Sequence, residues 1–397
     1  MKEVISVSNK RIAHVNEYYR RYLHDKIEWG VQLTIIRGPR GSGKTTLMLQ
    51  RIKDLEKLGV KALYCTMDHP YFETVRLYDF AGKVLENGFK YLFVDEIHKH
   101  RHWSQDLKLI YDTLPEIQIV CSGSSILDIM KGEADLSRRS AVYHLPGLSF
   151  REFLIFQDLS DDPALSLEDI LMNHEKIAGN ILDDYNVLRH YKKYLQHGYF
   201  PFFNESIRQY PDRLLRVINT TIENDIPAFE NIDYSTVRSL KKLLYFLSQS
   251  VPVTPNMIKL AGVMGVSRSH LLKMMDLMER SDILLLLKSP LHTRSRMAKP
   301  EKIYLHNTNL MSTLSPANVN SGSTRETFFF NQLQVLHSVH APKFGDFMVD
   351  QKYVFEIGGP SKNADQIAGI PNAYLALDGI KVGAGNRIPL WLFGYLY

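Results

Sequence analysis

The stretch VQLTIIRGPRGSGKTTLMLQRI, residues 31–52, decides the fold of the amino-terminal part of this chain. It begins as an apolar run, passes through a glycine-rich turn and continues with the spacing of an amphipathic helix. Residues 38–45 fit the pattern G-x-x-x-x-G-K-[ST], in which a strand leads through a phosphate-binding loop into a helix. The stretch therefore predicts a strand, a loop and a helix with a phosphate site between them.

The residue types in this loop suit the phosphates of a nucleotide. Glycines let successive backbone N–H groups point inward at phosphate oxygens, and a helix beginning near Lys44 adds its positive end. Lys44 would neutralise the β- and γ-phosphates, and Thr45 would offer its hydroxyl to Mg²⁺. We expect the bound nucleotide to contact the loop and the first helical turn: Gly38, Pro39, Arg40, Gly41, Ser42, Gly43, Lys44, Thr45 and Thr46.

A second motif, YLFVDEIHK at residues 91–99, is an apolar strand that ends in two carboxylates. Asp95 at the strand end would hold Mg²⁺ through water. Glu96 beside it is placed to orient and deprotonate an attacking water. An enzyme that transfers a phosphoryl group to a metabolite does not need this second acid, so the pair favours hydrolysis.

Polar residues follow the next apolar strand, IQIVCSGSS at residues 117–125. Many ATPases keep a polar sensor here, between the metal-binding acid and the γ-phosphate. Ser122 is the first candidate and Ser124 the second, with an ordinary strand-end turn as the alternative. Arg138 and Arg139 come next, and a guanidinium near the γ-phosphate would stabilise charge in the transition state. A solvated surface is the alternative for either arginine.

The segments GPRGSGKTT, FVDEIHKHRHW, CSGSS and LPGLSFREF, in this order and spacing, resemble a family of bacterial and archaeal AAA-type ATPases. In that family the P-loop module precedes a domain of unknown function. The resemblance implies a parallel αβα sandwich over residues 1–155, Mg²⁺ and ATP as ligands, and Glu96 as the base. It also implies that Arg139 rather than Arg138 is the catalytic arginine, acting across a subunit boundary in a homo-oligomer. It implies no particular substrate.

Composition restricts the remaining possibilities. The chain has 397 residues, which favours two or three domains, and its 45% hydrophobic and 23% charged fractions are those of ordinary globular proteins. The longest apolar run, residues 283–287, is too short to span a bilayer, and the charged start MKEVISVSNKR argues against a secretory signal. Cys65 and Cys121 form no disulfide framework and are expected in the core. We therefore expect a cytoplasmic protein without a membrane partner, whose net charge of +5 permits nucleic-acid binding without arguing for it.

The middle of the chain predicts helices. Residues 156–234 read as a helical lid or connector, in which Ser166 begins a helix with a solvated acidic face. Residues 235–315 predict a winged helix: a helix at 256–263, a turn at Gly265, a second helix capped by Ser267, and strands at 283–287 and 302–305. The buried face of the second helix should comprise Leu271, Met274, Met275 and Met278.

Such a domain can bind duplex DNA or serve only as a packing module. Its second helix would present Arg268, His270 and Lys273 to a major groove. The loop between its strands would follow the phosphate backbone with Lys288, Arg294, Arg296, Lys299 and Lys302.

Residues 316–397 predict a small α+β domain that contains the hairpin DFMVDQKYVFEIGGPSK, residues 346–362. A two-residue turn at Gln351 and Lys352 would pair Phe347 with Glu356 and direct Asp346 and Glu356 to opposite faces. A three-residue loop, residues 350–352, instead pairs Phe347 with Phe355 and Val349 with Tyr353. The second register pairs apolar residues with each other and is preferred, although its loop lacks the usual glycine.

In the preferred register Asp346 and Glu356 share a face and could hold Mg²⁺, with Glu326 completing the site. This arrangement resembles PD-(D/E)XK nucleases. Those enzymes need a lysine two residues beyond the second acid, where this chain has Gly358. We therefore expect a nuclease-like fold without activity, with Lys362 as the alternative source of the amine and Gln366 one helical turn beyond it.

Three functions remain open. An ATP-driven conformational switch, with the lid and carboxy-terminal domains as its output, accounts for Glu96. A DNA-binding regulator that only senses ATP would not need a hydrolytic base. A nuclease controlled by ATP would need metal ligands near the carboxy-terminal end of the sequence.

Overall fold

A computed structural model describes residues 1–126, 136, 138–182, 186–250, 252–290 and 297–397, which form two compact units. The first unit comprises Met1–Pro146 with Ala228–Asn231, and the second comprises Gly147–Pro227 with Ile232–Tyr397. The division comes earlier than the expected boundary at residue 155, because Ser149 and Phe150 bond to Tyr397 and Gln332 of the second unit. The segments 156–234, 235–315 and 316–397, expected to be separate domains, belong almost entirely to this one unit.

The first unit alternates strands and helices along the chain. Its helices are α1 Lys2–Ala13, α2 Lys44–Lys57, α3 Leu77–Glu86 and α4 Trp103–Thr113. Its strands are β1 Leu33–Arg37, β2 Ala62–Thr66, β3 Tyr91–Asp95, β4 Gln118–Gly123 and β5 Ala141–His144. They form a five-stranded sheet in the order β2-β3-β4-β1-β5, and every pairing is parallel. The predicted parallel sheet is confirmed.

Helices cover both faces of this sheet. Alternate residues of a strand point to opposite faces, so Ile35 packs in one core with Phe80 of α3 and Ile110 of α4. Its neighbour Ile36 packs in the other core with α2. Because both faces are buried, the strands read as continuous apolar runs. This is the layering expected of an αβα sandwich.

The rest of the chain supplies further helices and strands. The helices are α5 Phe150–Ile155, α6 Leu167–Leu182, α7 Val187–His197, α8 Tyr210–Thr220, α9 Ile226–Phe229, α10 Tyr234–Ser248, α11 Met257–Met264, α12 Arg268–Arg280, α13 Thr308–Leu314 and α14 Ser321–Leu333. The strands are β6 Leu284–Leu287, β7 Lys302–Leu305, β8 Val339–His340, β9 Phe347–Val349, β10 Tyr353–Gly358, β11 Ala373–Leu377 and β12 Arg387–Pro389. The helix expected after Ser166 begins there, and Asp169 N donates to Ser166 Oγ at 3.0 Å.

Helices α11 and α12 form a helix–turn–helix followed by the antiparallel pair β6–β7. Gly265 ends α11 with a left-handed φ of 69°, and Ser267 caps α12. The four residues predicted for the buried face of α12 are all buried: Leu271, Met274, Met275 and Met278. The assignment to a winged-helix fold stays a prediction, and the proposed wing residues Arg294 and Arg296 lie outside the described residues.

The carboxy-terminal strands form a second five-stranded sheet, in the order β12-β11-β10-β9-β8. Phe347 pairs with Phe355 and Val349 with Tyr353, so the three-residue loop predicted for this hairpin is confirmed. No glycine is needed because Asp350 and Gln351 adopt left-handed φ values of 51° and 55°. The Asp350 carboxylate accepts a bond from Ser338 N at 2.9 Å, which stabilises this turn. The nuclease-like assignment stays a prediction.

Both cysteines are buried in the first sheet, as expected for small core residues. Burial raises the pKa of the Cys65 and Cys121 thiols, so neither behaves as a thiolate. Among the residues that the structure describes, no helix combines the length and apolar character required to cross a membrane.

Candidate active site

The loop between β1 and α2 has glycines where the backbone requires them. A Cβ atom on Gly38 would lie 2.2 Å from the carbonyl oxygen of Leu145, so no larger residue fits there. Gly43 caps α2 with a left-handed φ of 97°. Arg21 donates to the carbonyl oxygens of Ser42 and Pro146, which holds the loop from outside.

Polar groups are arranged inside this loop as a phosphate would need them. The Lys44 ammonium is buried and donates to the carbonyl oxygens of Gly38 at 2.7 Å and Pro39 at 2.9 Å. The Ser42 hydroxyl is also buried, and within the described part of the chain no group bonds to it. A phosphate would offer acceptors to both side chains, so the residues present fit a nucleotide.

Three predicted site residues meet at the carboxyl ends of β3 and β4. Thr45 Oγ1 donates to Asp95 Oδ2 at 2.7 Å, and Ser122 Oγ donates to Asp95 Oδ1. Ser122 Oγ also accepts from the backbone N–H of Glu96 at 3.0 Å. A hydroxyl and a carboxylate in contact are oxygen ligands of the kind Mg²⁺ takes in combination with substrate phosphates. Thr45 and Asp95 therefore fit the predicted magnesium position.

A fourth group at Asp95 was missed at the level of sequence. The hydroxyl of Tyr64 on β2 donates to Asp95 Oδ2 at 2.8 Å, and Arg11 of α1 donates to that hydroxyl at 2.8 Å. Burial, reinforced by the charge of Asp95, raises the pKa of Tyr64, so its hydroxyl remains a donor. The only signal in the sequence is a tyrosine within the apolar run of β2, residues 62–65.

Glu96, the predicted base, has an unusual backbone. Its φ of 54° and ψ of 44° are left-handed, which is uncommon for a glutamate. Its Oε1 lies 3.7 Å from a guanidinium nitrogen of Arg40, and its Oε2 lies 3.3 Å from His98 Nε2. The carboxylate is thus held between a basic group of the loop and one of its own turn.

Three further residues predicted for this site lie at the loop, on α2 and beyond β4. Gly41 and Thr46 are exposed at the loop and the first turn of α2, and Ser124 is buried just beyond β4. Their predicted contacts with nucleotide stay predictions.

Arg139 is not brought to this site within one chain. It precedes β5 and donates through Nε to Asp112 Oδ1 at 2.9 Å, near the end of α4 that leads into β4. This is the amino-terminal edge of the parallel sheet, whereas the loop and Asp95 lie at the carboxyl edge, roughly 15 Å away at about 3.3 Å per strand residue. Arg138 is exposed beside it. A catalytic role for Arg139 therefore requires a second subunit and stays a prediction.

Among the described basic residues of the predicted wing, Lys288 and Lys302 are engaged with acids. Lys288 Nζ lies 2.7 Å from Glu279, and Lys302 Nζ lies 3.1 Å from Glu326 and 3.4 Å from Asp346. Lys302 is the first residue of β7 and bonds to two acids of the second unit, which corrects its placement among the basic residues of the wing loop. Lys299 is exposed, as predicted.

The acids predicted for the carboxy-terminal domain do lie near one another, and Lys362 joins them. Lys362 Nζ lies 2.5 Å from Glu356 Oε1, and the Gln366 amide nitrogen can donate to both oxygens of Glu356 at 3.2 Å. A Cβ atom on Gly358 would lie 2.5 Å from both Cβ and Cγ of Lys362. The stem of Lys362 thus fills the space next to position 358, where the resemblance to nucleases expects a lysine.

Residues 31–154 match a family profile described as an AAA domain. The match covers the loop, Asp95, Glu96 and Ser122, and it supports an AAA-type ATPase. A second profile, Domain of unknown function (DUF8612), matches residues 188–321 and ends before strands β8–β12.

A curated relative, Uncharacterized protein MJ1637 of Methanocaldococcus jannaschii, is 28% identical over 274 residues, which is 64% of this chain. The match covers 56% of that protein, so the chain spans little more than half the length of this relative.

Two solved structures also show similarity. AMPPCP-bound DnaA from Aquifex aeolicus is 16% identical with a TM-score of 0.26, over 70% of this chain and 88% of that one. C. elegans PCH-2 is 19% identical with a TM-score of 0.25, over 40% of this chain and 44% of that one. TM-scores this low do not establish a shared overall arrangement.

Proposed function

We propose that this protein binds ATP with Mg²⁺ at residues 38–46 and hydrolyses it slowly, and that hydrolysis drives a conformational switch whose output lies in the second unit. The observation that carries the proposal is the convergence of Thr45 and Ser122 on Asp95 beside the glycine loop. The AAA domain match over the same residues supports it.

Each residue of the site has a role in this mechanism. Lys44 would exchange the loop carbonyl oxygens for the β- and γ-phosphates, and Thr45 with Asp95 would hold Mg²⁺. The ion, when bound, would neutralise charge that develops on the phosphates. Ser122 fixes both Asp95 and the backbone of Glu96. The Glu96 carboxylate accepts a proton from the water as its oxygen bonds to the γ-phosphorus, while the bond from that phosphorus to ADP breaks and ADP leaves.

The contacts of Glu96 explain why hydrolysis should be slow in the isolated protein. The carboxylate faces Arg40 and His98 and must exchange these partners for water before it can act as a base. Bound ATP would compete for Arg40, because a phosphate also attracts its guanidinium.

Two variants test the proposal. Lys44→Ala should abolish ATP binding in calorimetry, whereas the control Lys57→Ala, at the exposed end of the same helix, should bind like wild type. Glu96→Gln should retain ATP affinity and lose turnover by at least roughly 100-fold, the lower range for a general base. Unchanged ATP affinity of Lys44→Ala would remove the central claim.

An ATP-sensing regulator that binds duplex DNA is the second candidate. It is favoured by the exposure of Arg268 and Lys273 on α12, the second helix of the helix–turn–helix. The Glu96→Gln variant separates the two candidates, because a pure sensor would function without turnover. Capturing that variant with ATP from cells would identify what it binds.

A further inference from the structure

Three carboxylates from three elements of the second unit lie close together. Glu326 lies within α14, Asp346 immediately precedes β9, and Glu356 lies on β10. The side chains of Glu326 and Asp346 are each 18% exposed, and that of Glu356 is 2% exposed. Three charges with so little water around them need cations nearby.

Two lysines of the same chain supply these cations. Lys362 pairs with Glu356 at 2.5 Å, while the Lys302 ammonium bridges Glu326 and Asp346 at 3.1 and 3.4 Å. Although burial opposes it, the pKa of Lys302 is raised by Glu326 and Asp346, so the amine is charged. The bridge joins β7, which follows the helix–turn–helix, to the carboxy-terminal α+β segment.

Two further donors bond to the carboxylates that Lys302 bridges. Tyr304, two residues from Lys302 on β7, donates to Glu326 Oε2 at 2.7 Å, and the N–H of Ile357 donates to Asp346 Oδ2 at 2.9 Å. A divalent cation needs several oxygens at about 2.0–2.6 Å, whereas the ammonium lies at hydrogen-bond distance. In the part of the chain that the structure describes, no group of three acidic, histidine or cysteine side chains is arranged to hold a metal.

We propose that the Lys302 ammonium takes the place of a divalent cation between Glu326 and Asp346 and so fastens β7 to the carboxy-terminal domain. The cluster is then an internal ionic clasp instead of a metal centre, and it holds no divalent cation while Lys302 is present. This inference concerns the second unit alone and does not depend on ATP hydrolysis.

Removal of the ammonium should convert the clasp into a metal site. In full-length protein without nucleotide, Mn²⁺ bound per chain is counted by electron paramagnetic resonance. Lys302→Met should gain one Mn²⁺ over wild type, and Lys302→Met/Glu326→Gln should lose it again. The matched control Lys299→Met, which changes an exposed lysine just before β7, should not differ from wild type. Manganese bound at the glycine loop is common to all variants and cancels in the comparison.

Thermal unfolding gives a second measurement. Lys302→Met leaves two carboxylates without a cation, so its Tm should fall further than that of the double variant, by at least about 3 °C. The proposal would be overturned if wild-type protein bound Mn²⁺ and Glu326→Gln weakened that binding. A folded Lys302→Met that gains no Mn²⁺ would also overturn it. If Lys302→Met does not fold, the comparison of wild type with Glu326→Gln decides alone.

Discussion

Asp95 is surrounded by hydroxyl groups from three different elements: Thr45 of α2, Tyr64 of β2 and Ser122 of β4. All three donate to a carboxylate that is only 4% exposed, so the orientation of Asp95 is fixed before any ligand arrives. Fixed ligands of this kind determine how well a metal ion is held. Tyr64 is of special interest because it would contact neither nucleotide nor ion directly.

The first prediction at this scale is that Tyr64→Phe weakens the binding of Mg²⁺ and so raises the magnesium concentration that hydrolysis requires. Loss of the hydroxyl frees Asp95 to rotate. Groups that hydrogen-bond to a metal ligand typically contribute about 10–100-fold to the affinity for the metal. The Mg²⁺ concentration for half-maximal ATPase activity should rise by that factor, while ATP affinity without Mg²⁺ stays constant. Tyr91→Phe, at the amino end of the neighbouring strand β3, is the control. Equal magnesium dependence of both variants would show that Tyr64 is only structural.

The site could be predicted from sequence where its residues lie within one motif. Residues 38–46, Asp95, Glu96 and Ser122 follow from the ends of apolar strands, because parallel strands end at a common edge. The contacts of Tyr64 with Arg11, of Arg40 with Glu96 and of Lys302 with Glu326 could not be predicted. Each joins residues far apart in the chain, and side-chain direction depends on packing that no local pattern contains.

At the scale of elements, the helix–turn–helix and its strands place some of their basic residues at the surface and others against acids. Helix α12 buries its apolar face and exposes Arg268 and Lys273, as the helical period predicts. The strand β7, by contrast, turns Lys302 inward to Glu326 and Asp346. Cation count therefore overstates the charge available to a phosphate backbone. The hairpin β9–β10 was predictable in register because apolar residues face each other across it.

The prediction for these elements is weak binding of duplex DNA through the loop after β6. A variant with Arg294, Arg296 and Lys299 all changed to alanine should bind DNA of every sequence less tightly. Its affinity should also depend less steeply on salt, because a protein with fewer phosphate contacts releases fewer counterions from DNA when it binds. A gel-shift titration from low to moderate salt measures both. The amine of Lys288 pairs with Glu279, so Lys288→Ala should reduce DNA affinity less. Absence of any wild-type complex at low salt would leave the helix–turn–helix as a packing module.

At the scale of the whole molecule, the chain returns to the first unit for only four residues, Ala228–Asn231. Within that unit the ring of Phe229 lies 5.7 Å from the ring of His98, and His98 contacts Glu96. A segment continuous with the second unit therefore ends next to the predicted base. Phe229 is therefore one of the residues that surround the predicted base within the first unit.

We predict that Phe229→Ala changes turnover without changing ATP affinity. Loss of the ring lets His98 move and alters the hold on Glu96, so the ATPase rate should change by severalfold while calorimetric affinity is constant. Phe72→Ala, in the same unit but packed against Phe80, controls for general loosening of the core. Parallel changes in rate and affinity for both variants would indicate destabilisation instead.

The last prediction at this scale concerns assembly. Arg139→Ala should keep ATP affinity and lose hydrolysis, because its guanidinium would act on nucleotide held by another subunit. Mixed with Lys44→Ala, which keeps Arg139 but binds no ATP, it should recover part of the activity. Failure of the mixture to recover activity would leave Arg139 as a partner of Asp112 within one chain.

The crowding of Gly358 against Lys362 has a consequence for related sequences. Because the stem of Lys362 lies where a side chain at 358 would begin, the two positions cannot both carry long residues. Substitution at position 358 alone would displace the lysine, whereas an exchange of glycine and lysine between the positions would relieve the overlap. The two positions should therefore covary inversely among homologues, with a long side chain at one of them and a glycine or small residue at the other.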